Sequence, residues 1–463
     1  MKMIDILRRV GCRAVLACLL ILCLLGGLPM SVQGATTSTP APEDSRIGAV
    51  YLCNIENNMV LYQKNQDAEI YPTSAAKIMT GLLACETLEA RGDEMVTLTA
   101  AMLAGATGRN MGLVTGEVIS IKDLLSAAIC GSYNDACCVV ATLSAGSVTA
   151  FVEQMNARAQ VIGATSTHYT NPTGLHDPSM VTTVSDTALV AKEALKNSLF
   201  MEISATHACT IPATNASAER LITNRNALVS DTAGQYYNGY CQGMSAGMTD
   251  EGGWSVITVW EKGNTQNLCV VMGGEDVAVG QTIPAYTYTN RLLSWAGSSY
   301  TYRTLLEEGA VLDTLPVGMT GTSKSKADIT LPADLQVYLP SGVDMAAEVS
   351  VTWHLHERKL NAPLASGQEV GILTVMYQGE VVGTSPLIVT EAFARNGFLH
   401  MMDGFKAYLL SRAFVATAVC FVILLLAYLR LISGPGGRYT SKHAYRAPKR
   451  KKKKLRSLKR IRF

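Results

Sequence analysis

The residues that most constrain this chain are the twenty from Ala413 to Ile432, an apolar run about one bilayer thick and interrupted only by Arg430 at its edge. Such a run predicts a single transmembrane helix. Gly434-Pro435-Gly436-Gly437 then breaks the helix, and residues 438–463 hold thirteen Lys or Arg and no acid. By the positive-inside tendency that tail belongs on the cytoplasmic side, so the chain before the span is expected to face outward from the plasma membrane. At the other end Lys2, Arg8, Arg9 and Arg13 precede an apolar stretch from Ala14 to Leu28 and the small residues around Val32-Gln33-Gly34-Ala35. This is the pattern of a secretory signal peptide over 1–34; a retained anchor is the rival.

The net charge of +2 hides a division. Residues 35–411 carry 20 basic and 36 acidic side chains, a net of −16. An acidic exported region argues against a nucleic-acid partner, and the basic tail reads as a topology determinant touching anionic lipid. Eight of the twelve cysteines lie in this region, at 53, 85, 130, 137, 138, 209, 241 and 269, with no Cys-x-x-Cys pair. Several sit inside apolar patterns and read as buried thiols, with a disulfide involving Cys209 or Cys241 as the alternative.

Residues 35–45 read as a Thr/Ser/Pro linker. Gly48 to Asn54 and Met59 to Lys64 then read as a strand hairpin, and after Pro72 the apolar spacing turns helical through about Ala90. Residues 100–200 stay mostly helical, broken at Gly105–Gly112, Gly131, Gly146 and Asn171-Pro172-Thr173-Gly174. Trp254 to Glu261 and Leu268 to Met272 form a second hairpin around Lys262-Gly263-Asn264, and a helix follows over Ile283 to Trp295. Strands, a helical block and strands again predict an α+β domain over 46–298. Short alternating segments between turn residues predict a small all-β domain over 299–392, followed by an amphipathic connector at 393–412, the span at 413–432 and the basic tail at 433–463.

Within the helical block, Ser74-Ala75-Ala76-Lys77 places a hydroxyl and an amine three residues apart, hence on one helix face. Ser74 follows Pro72 at a helix start, where free backbone amides favour developing negative charge. Lys77, among Ile78, Met79 and Leu82, is placed to lose its proton and act as a base. Ser132-Tyr133-Asn134 adds a second hydroxyl for proton relay and an amide to hold a substrate carbonyl. Each pattern alone is common; a helix cap with a solvated lysine, or ordinary turn chemistry, would explain either.

Order and context join them. The segment Tyr71-Pro72-Thr73-Ser74-Ala75-Ala76-Lys77-Ile78-Met79-Thr80, with Gly131-Ser132-Tyr133-Asn134-Asp135-Ala136, resembles the low-molecular-weight penicillin-binding proteins, the serine D-alanyl-D-alanine carboxypeptidases. Further matches in the family's order are Asn171-Pro172-Thr173-Gly174-Leu175, Asn224-Arg225-Asn226-Ala227-Leu228, Gly247-Met248-Thr249-Asp250-Glu251-Gly252-Gly253 and Val271-Met272-Gly273-Gly274. The β module, with Leu360-Asn361-Ala362-Pro363-Leu364, resembles the family's C-terminal domain. The resemblance implies a β-lactamase/transpeptidase-like domain, an antiparallel sheet with a helical subdomain, followed by the small all-β domain and the C-terminal transmembrane helix. It implies Ser74 as acylated nucleophile, Lys77 as its base, Ser132 as proton carrier and Asn134 as peptide orienter. The backbone amides of Ser74 and Met248 would form the oxyanion hole. Substrates would be peptidoglycan stem peptides, inhibitors would be β-lactams, and neither cofactor nor metal is expected.

The chain departs from the family where a Lys-Thr-Gly is expected: Ser245-Ala246-Gly247 stands there. The family's lysine attracts the substrate's terminal carboxylate, and losing a charge-assisted hydrogen bond costs about 1.5–3 kcal/mol. Arg225 matches a family arginine that reaches the same carboxylate, and a guanidinium suits that task. Two rival readings follow: a non-catalytic relative that binds cell-wall peptide or a partner, and a β-lactamase-like hydrolase, disfavoured by the anchor and extra domain. His354 and His356 share a strand face without a third ligand, so metal binding is not expected there.

Overall fold

The computed structural model describes residues 40–230, 233–321, 324–357 and 359–433. The signal-peptide assignment and the basic tail beyond Ser433 fall outside these residues. The chain divides into two compact units. The first runs to Asp313 and includes Ile329–Arg358 and Glu369–Ile388; the second comprises Thr314–Asp328, Lys359–Gln368 and the chain from Val389.

The first unit is built on a five-stranded antiparallel sheet. Its strands are β1 (Ile47–Asn54), β2 (Val60–Lys64), β7 (Cys241–Thr249), β8 (Gly253–Lys262) and β9 (Thr265–Gly274), in the order β2-β1-β9-β8-β7. Short two-stranded pairs join β3 (Met95–Thr97) with β4 (Val118–Ser120), and β5 (Ala208–Ile211) with β6 (Arg220–Thr223). The run Leu268-Cys269-Val270-Val271-Met272 has no polar alternation because β9 is covered on both faces. Leu268, Val270 and Met272 face one apolar cluster, and Cys269 and Val271 the other.

On one face packs α8 (Pro284–Ser299), with Tyr286, Tyr288, Leu292 and Leu293 in the core beside Val50 and Leu52. The other face carries the helical block: α1 (Ala76–Leu88), α2 (Ile121–Ile129), α3 (Asn134–Ala145), α4 (Val148–Ile162), α5 (Val184–Ala194) and α6 (Ser198–Ala205), while the short α7 (Ala227–Ser230) puts Leu228 into the cluster beneath α8. Every residue of α1 from Ala76 to Cys85 is buried, so this helix is the axis of the block and lacks a polar stripe. Its N-terminus abuts β7 and β8, the junction where the second half of the sequence meets the first.

From Tyr300 to Val389 the chain is rich in strands. In the first unit Tyr300–Leu306 pairs antiparallel with Leu335–Pro340, and Tyr300, Tyr302 and Tyr338 stack together. Glu369–Tyr377 pairs antiparallel with both Val349–Leu355 and Glu380–Val389. In the second unit Val317 and Gly318 pair in parallel with Leu360 and Asn361. That unit ends in two helices, Gly397–Leu409 and Arg412–Ser433. The latter is long and apolar enough over Arg412–Ile432 to cross a membrane.

Candidate active site

Pro72, with φ fixed near −66°, leads into a single 3₁₀ turn over Thr73–Ala75 that feeds α1. Thr73 has φ +47° and Ser132 φ +58°. Left-handed backbone at non-glycine residues costs on the order of 1–3 kcal/mol each, and here it falls beside the two hydroxyls read from the sequence. Thr73 is held from outside: residue 174 has φ +73°, and a side chain there would meet the Thr73 carbonyl at 1.7 Å. Only glycine lets the Asn171–Leu175 loop close on the nucleophile turn.

Ser74 and Lys77 are both nearly buried. Lys77 Nζ donates to Ser132 O and to Ser132 Oγ, each at 3.0 Å. Burial pushes the Lys77 amine below the ordinary 10.5, and the positive charges of Arg109 and Arg225 push the same way. A neutral amine has two N–H groups and one lone pair. Both N–H groups are spent on Ser132, which leaves the lone pair to take a proton.

The Ser74 hydroxyl lies 2.9 Å from Ser255 Oγ, which accepts from Thr73 Oγ1 at 2.6 Å. Ser255 sits on β8 with no exposed surface. The third segment lies alongside. Ser245 Oγ donates to the Ser74 carbonyl at 2.7 Å, while Ala246 packs into the apolar cluster on the far face of the sheet. A side chain at 247 would meet Ser74 Cβ at 2.8 Å, so β7 approaches the nucleophile this closely only with Gly247.

The second segment is fixed by Asp135. Its carboxylate accepts from Met111 N, Gly112 N and Leu113 N at 3.0–3.1 Å, pinning the 108–113 loop against the start of α3. Asn134 donates through Nδ2 to Thr107 O at 2.7 Å, and its buried Oδ1 has no partner. Its free group is therefore an acceptor, suited to a peptide N–H.

Ser74, Lys77, Ser132, Asn134, Arg225, Gly247 and Met248 all line one cleft of about 170 Å³. Ser245 does not line it; β7 contributes Ala246 to Thr249. A larger hollow of about 650 Å³ lies against α8 beside Tyr236, Arg291 and Trp295, but no Lys, His, Cys, Asp or Glu lines it. Arg225 is half-buried, with its guanidinium carbon 5.3 Å from the Trp254 ring centroid, and the loss of solvent lowers its pKa.

Two residues at the site were not singled out from the sequence. Arg109 lines the cleft from the Gly105–Gly112 break, and Ser255, outside the lining, is bonded to the Ser74 hydroxyl. The available signals were slight: an arginine inside a glycine-rich loop, and one hydroxyl within Trp254-Ser255-Val256-Ile257. The eight cysteines between Cys53 and Cys269 are free thiols; Cys130 and Cys209 are hydrogen-bonded to each other, which pulls Cys209 down to about 7 and pushes Cys130 up. Among the described residues no group of three His, Cys, Asp or Glu is placed to hold a metal.

This geometry is that of the Ser-x-x-Lys class of acyl-transfer sites, set between a helical block and the edge strand of an antiparallel sheet. The sequence profile of the D-alanyl-D-alanine carboxypeptidase family matches residues 35–276, and that of the penicillin-binding protein 5 C-terminal domain matches 300–395. The chain belongs to the D-alanyl-D-alanine carboxypeptidase family. It is 28% identical over 369 residues to the D-alanyl-D-alanine carboxypeptidase DacF of Bacillus subtilis, covering 79% of this chain and 90% of that one. It is 27% identical over 355 residues to DacC of Escherichia coli, covering 75% and 84%. Penicillin-binding protein 5 of Haemophilus influenzae shares the fold with a TM-score of 0.60 at 24% identity, over 77% of this chain and all of that one. PBP3 of Streptococcus pneumoniae does so with a TM-score of 0.62 at 21% identity, over 75% and 99%. The fold is thus a transpeptidase-like α+β domain followed by a β-rich C-terminal domain, and the family acts in cell-wall metabolism on peptidoglycan peptides and binds β-lactams.

Proposed function

We propose that this chain is an active serine D-Ala-D-Ala carboxypeptidase, held at the plasma membrane by the Arg412–Ile432 helix with its catalytic domain outside. The domain over 46–298 carries the chemistry, the β domain over 299–392 and the 393–412 connector follow it in the chain before the span, and the basic tail stays in the cytoplasm.

The observation that carries this reading is the Lys77–Ser132 pair. A buried amine with both N–H groups engaged is a base next to a hydroxyl that can pass its proton on. Ser74 attacks the carbonyl of the penultimate D-alanine while Lys77 takes its proton. The backbone amides of Ser74 and Met248 stabilise the oxyanion, worth about 3 kcal/mol. Ser132 delivers the proton to the departing D-alanine nitrogen. Water then hydrolyses the acyl-enzyme, and the peptide leaves one residue shorter. Asn134 Oδ1 receives a peptide N–H, and Arg225 faces the terminal carboxylate.

A second reading is favoured by one detail. The Ser74 hydroxyl is bonded to Ser255 and not to Lys77, as in a site that binds peptide without cleaving it. Incubating the full-length chain in detergent with a diacetyl-lysyl-D-Ala-D-Ala peptide separates the two. Release of D-alanine above a Ser74→Ala control is expected; release equal to the control leaves only the binding reading.

A further inference from the structure

The third segment presents no cation to the cleft, yet two guanidiniums face it. Arg109 and Arg225 line it beside the Lys77 amine, and no Asp or Glu does. The two arginines are fixed to consecutive carbonyls of the turn between α2 and α3. Arg109 Nε donates to Gly131 O at 3.1 Å, and the backbone N–H of Arg225 donates to Cys130 O at 2.9 Å. Each guanidinium is braced by an aromatic face, Arg109 over Tyr133 with 4.6 Å from its carbon to the ring centroid, and Arg225 over Trp254 at 5.3 Å.

Neither arginine takes part in an ion pair among the described residues, and Arg225 makes no side-chain hydrogen bond there. Arg109 spends one of its five N–H donors on Gly131, which leaves the outward edge of its fork unused. The positive charge of Arg109 is felt both at Arg225 and at Lys77, so the three groups share one electrostatic neighbourhood. Two like charges drawn together without a counter-ion describe a site built for an anion that arrives from solution.

We propose that Arg109 supplies the positive charge missing from Ser245-Ala246-Gly247 and, together with Arg225, grips the terminal carboxylate of the acyl-D-Ala-D-Ala substrate. The cation has moved from the edge strand to the loop that precedes the second segment. There it can meet the carboxylate through a planar fork, and from the same place it disfavours protonation of Lys77. This inference rests on the carboxypeptidase reading for the identity of its substrate, but its test does not require turnover.

The test is binding to the full-length Ser74→Ala chain in detergent, by titration calorimetry, of diacetyl-lysyl-D-Ala-D-Ala and of the same peptide with a C-terminal amide. The acid is expected to bind at least tenfold more tightly than the amide. Arg109→Gln should weaken the acid by about tenfold and leave the amide within twofold, and Arg109→Lys should recover part of the loss. Thermal unfolding of both variants checks that the loop still packs. An acid-to-amide ratio unchanged by Arg109→Gln overturns the proposal, as does failure of the acid to bind at all. Wild-type turnover with an Arg109-independent ratio sinks this inference alone; acid-selective binding without turnover sinks the activity reading alone.

Discussion

The hydroxyl of Ser245 donates to the backbone carbonyl of Ser74 at 2.7 Å, so the residue that stands where the family has a lysine braces the Ser74 turn instead of lining the cleft. The direction follows from strand geometry. Residues 245 and 247 lie on the face of β7 toward Ser74, while Ala246 is buried on the other face. Ser245→Ala is expected to lower stability by about 1 kcal/mol, the net worth of one neutral hydrogen bond, read from chemical denaturation. Ser245→Lys is expected to change the acylation rate by a fluorescent penicillin by less than about threefold, because the cleft already holds two guanidiniums. A tenfold gain would show that the missing lysine was never replaced.

Ser255 is the side chain bonded to the Ser74 hydroxyl, at 2.9 Å. With Ser74 as the donor, that bond has to open before its proton can pass to Lys77. Removing a neutral hydrogen bond from the ground state is worth about 0.5–1.5 kcal/mol, so Ser255→Ala should speed acylation by roughly two- to tenfold. Stopped-flow acylation kinetics check this, and a slower variant would show that Ser255 assists the reaction.

These two residues mark where sequence reading stops. Ser74, Lys77, Ser132, Asn134 and Arg225 were legible because their segments match the family's motifs in the family's order along the chain, and the structure brings all five to one cleft. The helix after Pro72 and the strand at Leu268 to Met272 were legible too, from apolar spacing and β-rich composition. The facing of Ser245 was not. It depends on pairing with Ile257 beyond an irregularity between Gln242 and Ser245, and one residue of slip would turn every side chain over. Arg109 was hidden for another reason: its loop has no periodicity, and long-range bonds to Gly131, Asn134 and Asp135 place it.

The depressed pKa of Lys77 has two consequences. Acylation should rise with pH through an apparent pKa below the ordinary lysine value of 10.5, measured as the pH dependence of the penicillin acylation rate. Lys77→Arg, which cannot give up its proton, should abolish it. For stability, the folded state binds fewer protons at Lys77 than the unfolded state between the folded pKa and 10.5, so its stability rises with pH across that window. Lys77→Met should therefore be more stable than wild type near pH 7, with the gap closing as pH rises.

Glu117 and Arg220 form a bidentate pair at 2.8 and 3.2 Å, with the Glu117 side chain fully buried. Burial raises the Glu117 pKa, but hydrogen bonds from Arg220, Thr214 and Val114 N more than offset this and hold it below 4.5. Arg220 begins β6, the strand that leads into Asn224-Arg225-Asn226, so the pair anchors the approach to the cleft. Glu117→Ala leaves a buried guanidinium uncompensated and should cost about 3–5 kcal/mol. Because the folded pKa is depressed, this contribution is present above 4.5 and is lost as pH falls through the folded value. Denaturation midpoints of wild type and variant should thus converge in acid.

The central claim is that Ser74 is a working nucleophile despite the altered third segment. Intact-mass spectrometry of the full-length chain after incubation with benzylpenicillin, followed by peptide mapping, tests it most directly. One penicilloyl group per chain on the peptide containing Ser74, absent from Ser74→Ala, is the predicted result. No adduct, or an adduct on any other residue, would contradict it.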